Sequence, residues 1–336
     1  MIDGRPLVGN RTGIGVHTAE IARRLGFDPP PLIASHAEIA DREGLEELRF
    51  RVDPMPLGVL WQQLTLPRVE GDLLWGPHGT LPLIWKKPAV VTLHDFTSIT
   101  MPLRHRTRTI LSFNLFVGAS LDLATRVACV STVVADEAMR GFGVPASKIE
   151  IVPNGVDEFF TPGSEAREDY ILYAGTLEPR KGVDDLLEVW RALPRPRPRL
   201  ILCGGAGWGV KVGEEEGLTL TGYVTRDRLR ELYRRARLFV YPSRHEGFGI
   251  PPLEAMACGA PVIATRTGAI PDYAEDAALL VKPGDREALR AAITRALGDA
   301  TLRRELGARG AERARSWRWD GAAHAMRELF DAAAKR

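Results

Sequence analysis

The strongest constraint on the fold is a regular alternation of short apolar runs with stretches of helical periodicity. The runs predict strands at 32–35, 73–76, 89–95, 126–131, 170–176, 199–205, 218–224, 237–243, 261–266 and 278–283. The intervening stretches predict helices at about 13–25, 103–121, 132–141, 182–192, 226–236, 252–258, 285–297 and 319–335. Apolar strands that alternate with helices are typical of parallel sheets covered on both faces. The pattern therefore predicts an α/β protein with more units than one small doubly wound domain holds.

A proline- and glycine-rich segment, 151–169, interrupts this alternation near the middle of the chain. Its composition is typical of a connection between domains. A length of 336 residues also favours two domains. An eight-fold barrel is the competing architecture, and the break disfavours it. On periodicity alone, the last helix can belong to either half.

Composition excludes several classes of protein. The formal net charge is only +2, which disfavours a nucleic-acid binder, and the 45% hydrophobic content disfavours disorder. The three cysteines stand in apolar contexts without a C-x-x-C motif, so buried thiols in a reducing compartment are expected. The sequence contains neither D-x-D nor H-x-x-x-H, so no metal site and no cofactor are predicted. We find no signal peptide and no long apolar run, and therefore expect a cytoplasmic protein.

The stretch HEGFGIPPLEAMACGAPVIA, residues 245–264, carries the clearest chemical signal. It sets Glu246 and Glu254 on either side of a glycine-rich loop and the Pro251–Pro252 pair, directly after a predicted strand. Prolines suit a first helical turn, so Glu246 is expected in the loop and Glu254 in that turn. Ligands of α/β sheets bind at the carboxyl ends of strands, and helix starts favour phosphates. The alternative is that the helix dipole alone favours a first-turn glutamate.

This stretch resembles the signature of the retaining glycosyltransferases of family 4, which have the GT-B fold. Other segments resemble the family in the same order, namely 12–25, VTLHD (91–95), VPNGVD (152–157), YAGTLEPRKG (173–182), LTGYV (220–224) and SWRWDGAA (316–323). The resemblance implies two Rossmann-like domains facing each other across a cleft. It assigns 1–155, with the returning C-terminal helix 319–336, to the acceptor and 156–318 to the nucleotide-sugar.

The resemblance also implies four catalytic residues: Glu246, His94, Arg180 and Lys181. Glu246 would lie beside the hydroxyls of the donor sugar, and His94 would contact that sugar or the reacting centre. Arg180 and Lys181 would stabilise charge on the leaving diphosphate, because no D-x-D motif is present to hold a metal. Without the resemblance, a solvated basic turn and a structural histidine at a strand end would be the simpler interpretations.

The remaining site predictions follow the same motifs. Glu254 would bond the ribose hydroxyls of the donor. The other expected donor contacts are Gly247, Phe248, Gly249 and Ile250 in the signature loop, Gly13 and Gly15 near the N-terminus, and Gly222, Tyr223 and Val224 near the nucleobase. Thr176 is included because it stands where many relatives carry an arginine, a departure that Arg180 would compensate. Acceptor-side candidates, at or just after the ends of predicted strands, are Asp95, His78 and Ser131.

The implied reaction retains the anomeric configuration through same-face attack, with the leaving diphosphate assisting deprotonation of the acceptor hydroxyl. GDP-mannose is the first expected donor, with UDP-sugars and dTDP-rhamnose as alternatives. The acceptor would be a hydroxyl of a saccharide, of a lipid-linked chain or of a small molecule.

Two other functions stay open on the sequence. One is an inactive GT-B domain that only binds nucleotide-sugar. The other is an NAD-dependent oxidoreductase, supported only by Gly13 and Gly15, with Thr18 where a third glycine is expected. Separately, the basic and apolar segment 103–116 is a candidate contact with the inner face of an anionic membrane. An ordinary helix covering a sheet is the alternative for that segment.

Overall fold

The computed structural model describes residues 1–11, 13–100, 107–207, 209–210 and 212–335, which form two compact units. The N-terminal unit consists of Met1–Asn154 together with Trp319–Arg336, and the C-terminal unit of Gly155–Arg318. Each unit is built on one sheet whose strand pairs are all parallel. The predicted α/β class is therefore confirmed.

The N-terminal sheet has the strand order β3-β2-β1-β4-β5-β6-β7. Its strands are β1 (Ile2–Asp3), β2 (Leu32–Ser35), β3 (Arg49–Val52), β4 (Leu74–Gly76), β5 (Ala89–Leu93), β6 (Arg126–Cys129) and β7 (Ile149–Ile151). The helices between them are α1 (Gly13–Ala22), α2 (Gly58–Leu64), α3 (Thr97–Thr100), α4 (Thr107–Leu123) and α5 (Thr132–Phe142). Side chains of β4 and β5 are buried throughout, as expected for strands covered on both faces.

The C-terminal sheet has the order β10-β9-β8-β11-β12-β13. Its strands are β8 (Glu168–Ala174), β9 (Arg199–Cys203), β10 (Leu218–Gly222), β11 (Ala236–Tyr241), β12 (Val262–Thr265) and β13 (Ala278–Val281). Its helices are α6 (Val183–Arg191), α7 (Arg226–Arg235), α8 (Ile250–Ala257), α9 (Ile270–Ala274), α10 (Arg286–Gly298) and α11 (Ala300–Ala314).

The last helix, α12 (Trp319–Ala334), returns to the N-terminal unit and packs on α1. Its buried face includes Trp319, Met326 and Phe330 at helical spacing. An apolar stripe of this kind has to be covered, and α1 together with β5 and β6 covers it.

Several elements escaped prediction, each for a local reason. Strand β1 has only two residues, and β3, with the sequence RFRV, is a charged edge strand that lacks an apolar run. Helix α11 contains Gly307 and Gly310, which weaken a helical pattern. Strand β7, α2 and the five-residue α9 were also not predicted.

In both sheets the strand order reverses once. The reversals lie between β1 and β4 in the N-terminal unit and between β8 and β11 in the C-terminal unit. The loops that leave such a pair turn to opposite faces and open a crevice at the carboxyl ends of the strands. Each unit therefore has one position where a ligand site is expected.

No helix in the described part of the chain is long and apolar enough to cross a membrane. The proposed membrane contact, 103–116, falls largely outside the described residues. Helix α4 begins at Thr107, and the side chains are described only from Phe113 onward.

Candidate active site

In the C-terminal unit, the loops after β8 and β11 are joined at the reversal point. The carbonyl of Arg180 accepts hydrogen bonds from the Arg244 amide at 2.8 Å and from Ser243 Oγ at 3.3 Å. Gly182 has φ +66°, and a Cβ there would lie 2.1 Å from the Pro242 carbonyl oxygen. Only glycine fits this crossing. The predicted residues Arg180, Lys181 and Glu246 are thereby brought together.

Glu246 is the centre of this cluster. Its side chain is buried, and Oε1 accepts hydrogen bonds from Lys181 Nζ at 2.5 Å and from the Tyr241 hydroxyl at 2.9 Å. Lys181 Nζ also donates to the Tyr241 oxygen at 3.0 Å. Arg180 Nη1 lies 3.9 Å from Glu246 Oε2. The carboxylate is thus fixed by two cations and one hydroxyl.

The charges of the cluster decide its ionisation. Burial acts to raise the pKa of Glu246, but Lys181 and Arg180 outweigh it, and the pKa is lowered from its usual value. Burial and the Glu246 carboxylate raise the pKa of Tyr241 well above its usual value, so its hydroxyl remains a donor. Arg180 also pairs with Glu178 at 3.1 Å. An anionic ligand would therefore compete with Glu178 and Glu246 for cations that are already paired.

The signature loop, 247–250, is fixed by contacts with Gly268, Tyr273 and Trp317. Gly249 has φ +88°, and its carbonyl accepts from the Tyr273 hydroxyl at 2.6 Å. A Cβ on Gly268 would lie 2.4 Å from the Glu246 carbonyl oxygen. The Phe248 ring is buried against Tyr273 and Trp317. A donor contact from Phe248 would consequently come from its backbone, and the loop is formed in advance of any ligand.

Glu254 lies just beyond the first helical turn, in which it was expected. Helix α8 begins at Ile250, so Glu254 is its fifth residue and the first turn contains no acidic side chain. Its Oε2 accepts from the Tyr233 hydroxyl at 2.9 Å. Pro251 and Pro252 occupy the first turn as predicted, and because they lack N–H groups they leave it fewer donors for a phosphate. The helix-dipole explanation for Glu254 is accordingly weakened.

The donor-side candidates Gly222, Tyr223, Val224 and Thr176 follow strands at the same edge of the sheet, beside Gly175 and Gly204. Gly175 follows β8, Gly204 follows β9, and Gly222 is the last residue of β10. All three glycines have positive φ. The Gly204 amide donates to the Gly222 carbonyl at 2.9 Å, and a Cβ on Gly204 would lie 2.2 Å from the Gly175 oxygen. Tyr223 follows with its side chain exposed. Thr176 lies beside Gly175, half-buried, and its carbonyl accepts from the Tyr173 hydroxyl at 3.1 Å.

In the N-terminal unit, His94 follows β5 and His78 follows β4. The His94 Nε2–H donates to the Pro77 carbonyl at 2.9 Å, which leaves Nδ1 as an acceptor. Burial lowers the pKa of His94 to about 4. Burial, and then the Arg5 charge, lower that of His78 to about 4. Both imidazoles are neutral near pH 7, which suits binding of a hydroxyl.

Sequence reasoning missed the fully buried His17 on α1. Its Nδ1–H donates to Asn154 Oδ1 at 2.7 Å, and its ring meets that of His94 edge to face, with the centroids 4.7 Å apart. Among the described residues its Nε2 has no hydrogen-bond partner. Burial and then His94 lower the pKa of His17 well below its usual value. His17 lies in the family-like segment 12–25 and Asn154 in VPNGVD, but no local pattern pairs them, because their contact joins residues 137 positions apart.

The remaining N-terminal candidates have local structural roles. Ser131 Oγ caps α5 by accepting from the Val134 amide at 3.2 Å. Asp95 Oδ1 accepts from the Thr97 amide at 2.9 Å and from the Thr97 hydroxyl. Gly13 begins α1 with open space around it, whereas a Cβ on Gly15 would lie 2.6 Å from the Pro6 carbonyl oxygen. These roles leave the predicted ligand contacts of the four residues untested.

The described residues contain no group of three or more His, Cys, Asp or Glu side chains that could hold a metal ion. Arg180 and Lys181 supply positive charge at the C-terminal reversal point. The cluster can accordingly bind an anionic group and polarise a hydroxylated ligand beside it.

Comparisons with known proteins fit this geometry. Residues 11–158 match the family model described as Glycosyltransferase Family 4, and 157–313 match Glycosyl transferases group 1. The chain is 35% identical over 268 residues to O-antigen chain mannosyltransferase B of Escherichia coli, covering 73% of this chain and 70% of that protein. It is 32% identical over 225 residues to the serotype-specific mannosyltransferase WbdA of Escherichia coli, covering 62% of this chain and 26% of WbdA.

A solved structure extends the likeness to the whole fold. HepE of Anabaena, in a complex with UDP-glucose, superposes with a TM-score of 0.80. The match covers 98% of both chains at 22% sequence identity. An identity this low establishes a shared architecture of two Rossmann-like units and leaves the ligand of this chain open.

Proposed function

The chain belongs to glycosyltransferase family 4, with the GT-B fold, and we propose that it transfers mannose from GDP-mannose to a saccharide hydroxyl. As a member of that family it is a retaining hexosyltransferase that uses a nucleotide-sugar. This membership bears out the motif resemblance and excludes the NAD-dependent oxidoreductase. Mannose as the sugar and an O-antigen-type chain as the acceptor are supported by the 35% identity to O-antigen chain mannosyltransferase B.

The observation that carries the chemical part of the proposal is the Lys181–Glu246–Arg180 cluster at the β8–β11 reversal. In the proposed reaction the donor diphosphate lies at Arg180 and Lys181, whose charges stabilise the leaving oxygen without a metal. Glu246, kept ionised by the same cations, accepts hydrogen bonds from hydroxyls of the donor sugar. Glu254, one turn into α8, accepts from the ribose hydroxyls.

His94 is proposed to act at the acceptor or donor hydroxyl nearest the reacting carbon. Its Nε2–H is engaged by the Pro77 carbonyl, so Nδ1 is the atom that accepts a hydrogen bond. With a pKa of about 4, the imidazole is neutral at physiological pH and acts there as a hydrogen-bond acceptor. The leaving diphosphate is then the base that receives the acceptor proton.

The test is a donor panel in EDTA. Melting temperatures are measured with GDP, UDP, dTDP, ADP and NADH, and turnover is measured with GDP-mannose and UDP-glucose. GDP at about 100 times its dissociation constant should stabilise the folded protein by about 2.7 kcal/mol. Glu254→Gln should abolish most of that shift. The matched control is Glu287→Gln, an exposed glutamate in the first turn of α10, which should keep it.

The alternative outcomes separate the competing proposals. A shift with UDP or dTDP but not with GDP would replace the donor while leaving the site intact. A GDP shift without turnover on any mannosylated acceptor would favour the inactive nucleotide-sugar-binding domain. Turnover that requires Mg²⁺ or Mn²⁺ would refute the metal-free role of Arg180 and Lys181.

A further inference from the structure

We propose that the C-terminal unit carries a second anion site, a cavity of about 810 Å³ that binds a phosphorylated small molecule. The cavity lies at the amino ends of β8 and β11, whereas the Lys181–Glu246 cluster lies beyond their carboxyl ends. Strand β8 has seven residues and therefore spans about 20 Å between the two places. The cavity is thus separate from the site proposed for the donor.

Three parts of the C-terminal unit form the walls of this cavity. They are the segment 162–167 before β8, the turn after α8 and one face of α11. Small residues recur at helical spacing on that face of α11, namely Ala300, Gly307, Ala308 and Ala311. A Cβ on Gly307 would lie 2.4 Å from the Gly259 carbonyl oxygen, so α11 touches the turn directly. The space is therefore left by small side chains on a packed helix, and its volume is that of a small-ligand pocket.

The lining of the cavity carries an excess of positive charge. It contains three carboxylates and five arginines, namely Arg167, Arg234, Arg237, Arg303 and Arg304. The carboxylate of Glu168 pairs outside the cavity, with Arg235 at 2.7 Å and Arg199 at 3.2 Å. The other two carboxylates pair with Arg237 and Arg234. Within the described residues, the three remaining arginines hydrogen-bond only to carbonyl or hydroxyl oxygens.

Arg303, which is half-buried, presents the edge of its guanidinium that suits a phosphate. Its Nη1 donates to the carbonyls of Ala296 at 2.6 Å and of Leu297 at 2.8 Å, at the end of α10. In the described part of the chain these are its only hydrogen bonds, so Nε–H and both Nη2 hydrogens remain as donors. Two parallel N–H donors of an arginine can bind two phosphate oxygens at once. The carbonyls thus fix Arg303 by one nitrogen and leave this pair of donors for a ligand.

Arg167 brings a second positive charge close to Arg303. Its guanidinium donates to the carbonyls of Arg234 at 3.1 Å, of Ala236 at 2.9 Å and of Gly259. Burial lowers the pKa of Arg167, and the charge of Arg303 lowers it further. Arginine does not lose its proton near pH 7, so the two charges repel each other in the folded protein. The carbonyl dipoles compensate part of this repulsion but carry no net charge, whereas an anion bound between the two guanidinium groups would remove it.

Charge and size together select the ligand. An uncharged sugar would leave the arginines uncompensated, whereas the two or more negative charges of a phosphate ester or of pyrophosphate match the excess in the lining. The volume holds a phosphoryl group together with a sugar ring or a second phosphate. The shared chemistry is the phosphoryl group, and its source is either a phosphorylated sugar or inorganic pyrophosphate.

The experiment changes the charge of the lining at Ala308, an exposed residue of α11. Ala308→Glu places a carboxylate one helical turn from Arg304, whereas Ala308→Gln adds a side chain of the same shape without the charge. Calorimetric titrations in EDTA use inorganic pyrophosphate and mannose 6-phosphate as probes. We expect binding by the parent and by Ala308→Gln, and binding weaker by about tenfold or more in Ala308→Glu.

A second pair of variants tests the arginine itself. Arg303→Met should weaken binding about tenfold, because it removes the two parallel donors. Arg290→Met, at an exposed arginine of α10 outside the lining, removes the same charge and should leave binding unchanged. Melting temperatures without a probe show which variants are folded. If Arg303→Met does not fold, the two Ala308 variants still decide the result, since Ala308 is exposed and loses no contact.

Pyrophosphate also suits the site proposed for the donor, and the variants distinguish the two sites. Loss of one binding event in Ala308→Glu, but not in Ala308→Gln, would assign that event to the cavity. Equal affinities of these two variants would overturn the proposal, and so would absence of binding by the parent. Tighter binding of mannose 6-phosphate would support a phosphorylated sugar as the occupant, and tighter binding of pyrophosphate would support the inorganic anion. Absence of a thermal shift with GDP would overturn the donor proposal alone.

Discussion

Lys181 compensates a carboxylate that is buried away from water. Replacing it in Lys181→Met would leave Glu246 with the Tyr241 hydroxyl and with Arg180 at 3.9 Å. We expect the free energy of unfolding to fall by about 2–3 kcal/mol, because a buried charge loses its partner. Transfer should fall about 100-fold, because the leaving diphosphate loses a cation. Urea denaturation and initial rates with GDP-mannose measure the two effects.

The double variant Lys181→Met, Glu246→Gln separates stability from activity. With both charges removed, most of the lost stability should return while transfer stays low. Lys282→Met, at an exposed lysine, controls for the loss of a positive charge and should leave both quantities unchanged. If the Lys181→Met variant and the double variant had equal stability, Lys181 would not be compensating the buried charge of Glu246.

Helix α11 shows how glycine can favour packing at the expense of helix propensity. A Cβ on Gly307 would lie 2.4 Å from the Gly259 carbonyl oxygen, at the end of α8. Gly307→Ala should therefore destabilise the protein by about 1–3 kcal/mol, although alanine is the better helix former. Gly321 in α12 is exposed and has nothing within 4 Å of the same position. Gly321→Ala should stabilise the protein by about 0.5–1 kcal/mol.

Opposite signs for these two substitutions in thermal or urea unfolding are the expected result. Stabilisation by Gly307→Ala would mean that α11 and α8 separate at no cost. Both glycines lie within long helices, Gly307 in the middle of α11 and Gly321 in the first turn of α12.

Long apolar runs explain which elements the sequence could predict. Strand β5 is buried along its whole length and β11 at every position except Arg237, so their composition alone marks them. Strand β1 has two residues, and its pairing partners β2 and β4 define it. Helix α11 was not predicted because Gly307 and Gly310, which pack closely against neighbouring residues, weaken its helical pattern. Glu254 falls outside the first turn because α8 begins at Ile250, before the prolines.

For the candidate site, chemistry-bearing residues could be located because they follow strands. Lys181 and Glu246 stand a few residues beyond predicted apolar runs, and His94 stands near the end of one. The groups that fix them could not be located, since Tyr241 lies within a strand and His17 within a helix. Their importance follows from long-range packing, which no local pattern encodes.

Acidification should act first on the N-terminal unit. There the pKa values of His78 and His94 are lowered from near 6.5 to about 4, so between these values the unfolded chain binds more protons than the folded one. The free energy of unfolding must then fall as pH decreases from 6.5 to 4 and level off below that. Between pH 7 and pH 5 the loss is up to about 2 kcal/mol for each histidine. In the C-terminal unit, Glu246 has a lowered pKa, so its contribution to the free energy of unfolding is kept above pH 4.5 and is lost only as the pH falls further.

Hydrogen exchange followed by mass spectrometry tests this order. At pH 5 the amides of β4 and β5 should lose protection before those of β8 and β11. His78→Gln should flatten the pH dependence between 7 and 5, since it removes one titrating group from the N-terminal unit. His324→Gln, at an exposed position on α12, should not. Equal loss of protection in both units across that interval would contradict the assignment, because the C-terminal cluster has its titration below pH 4.5.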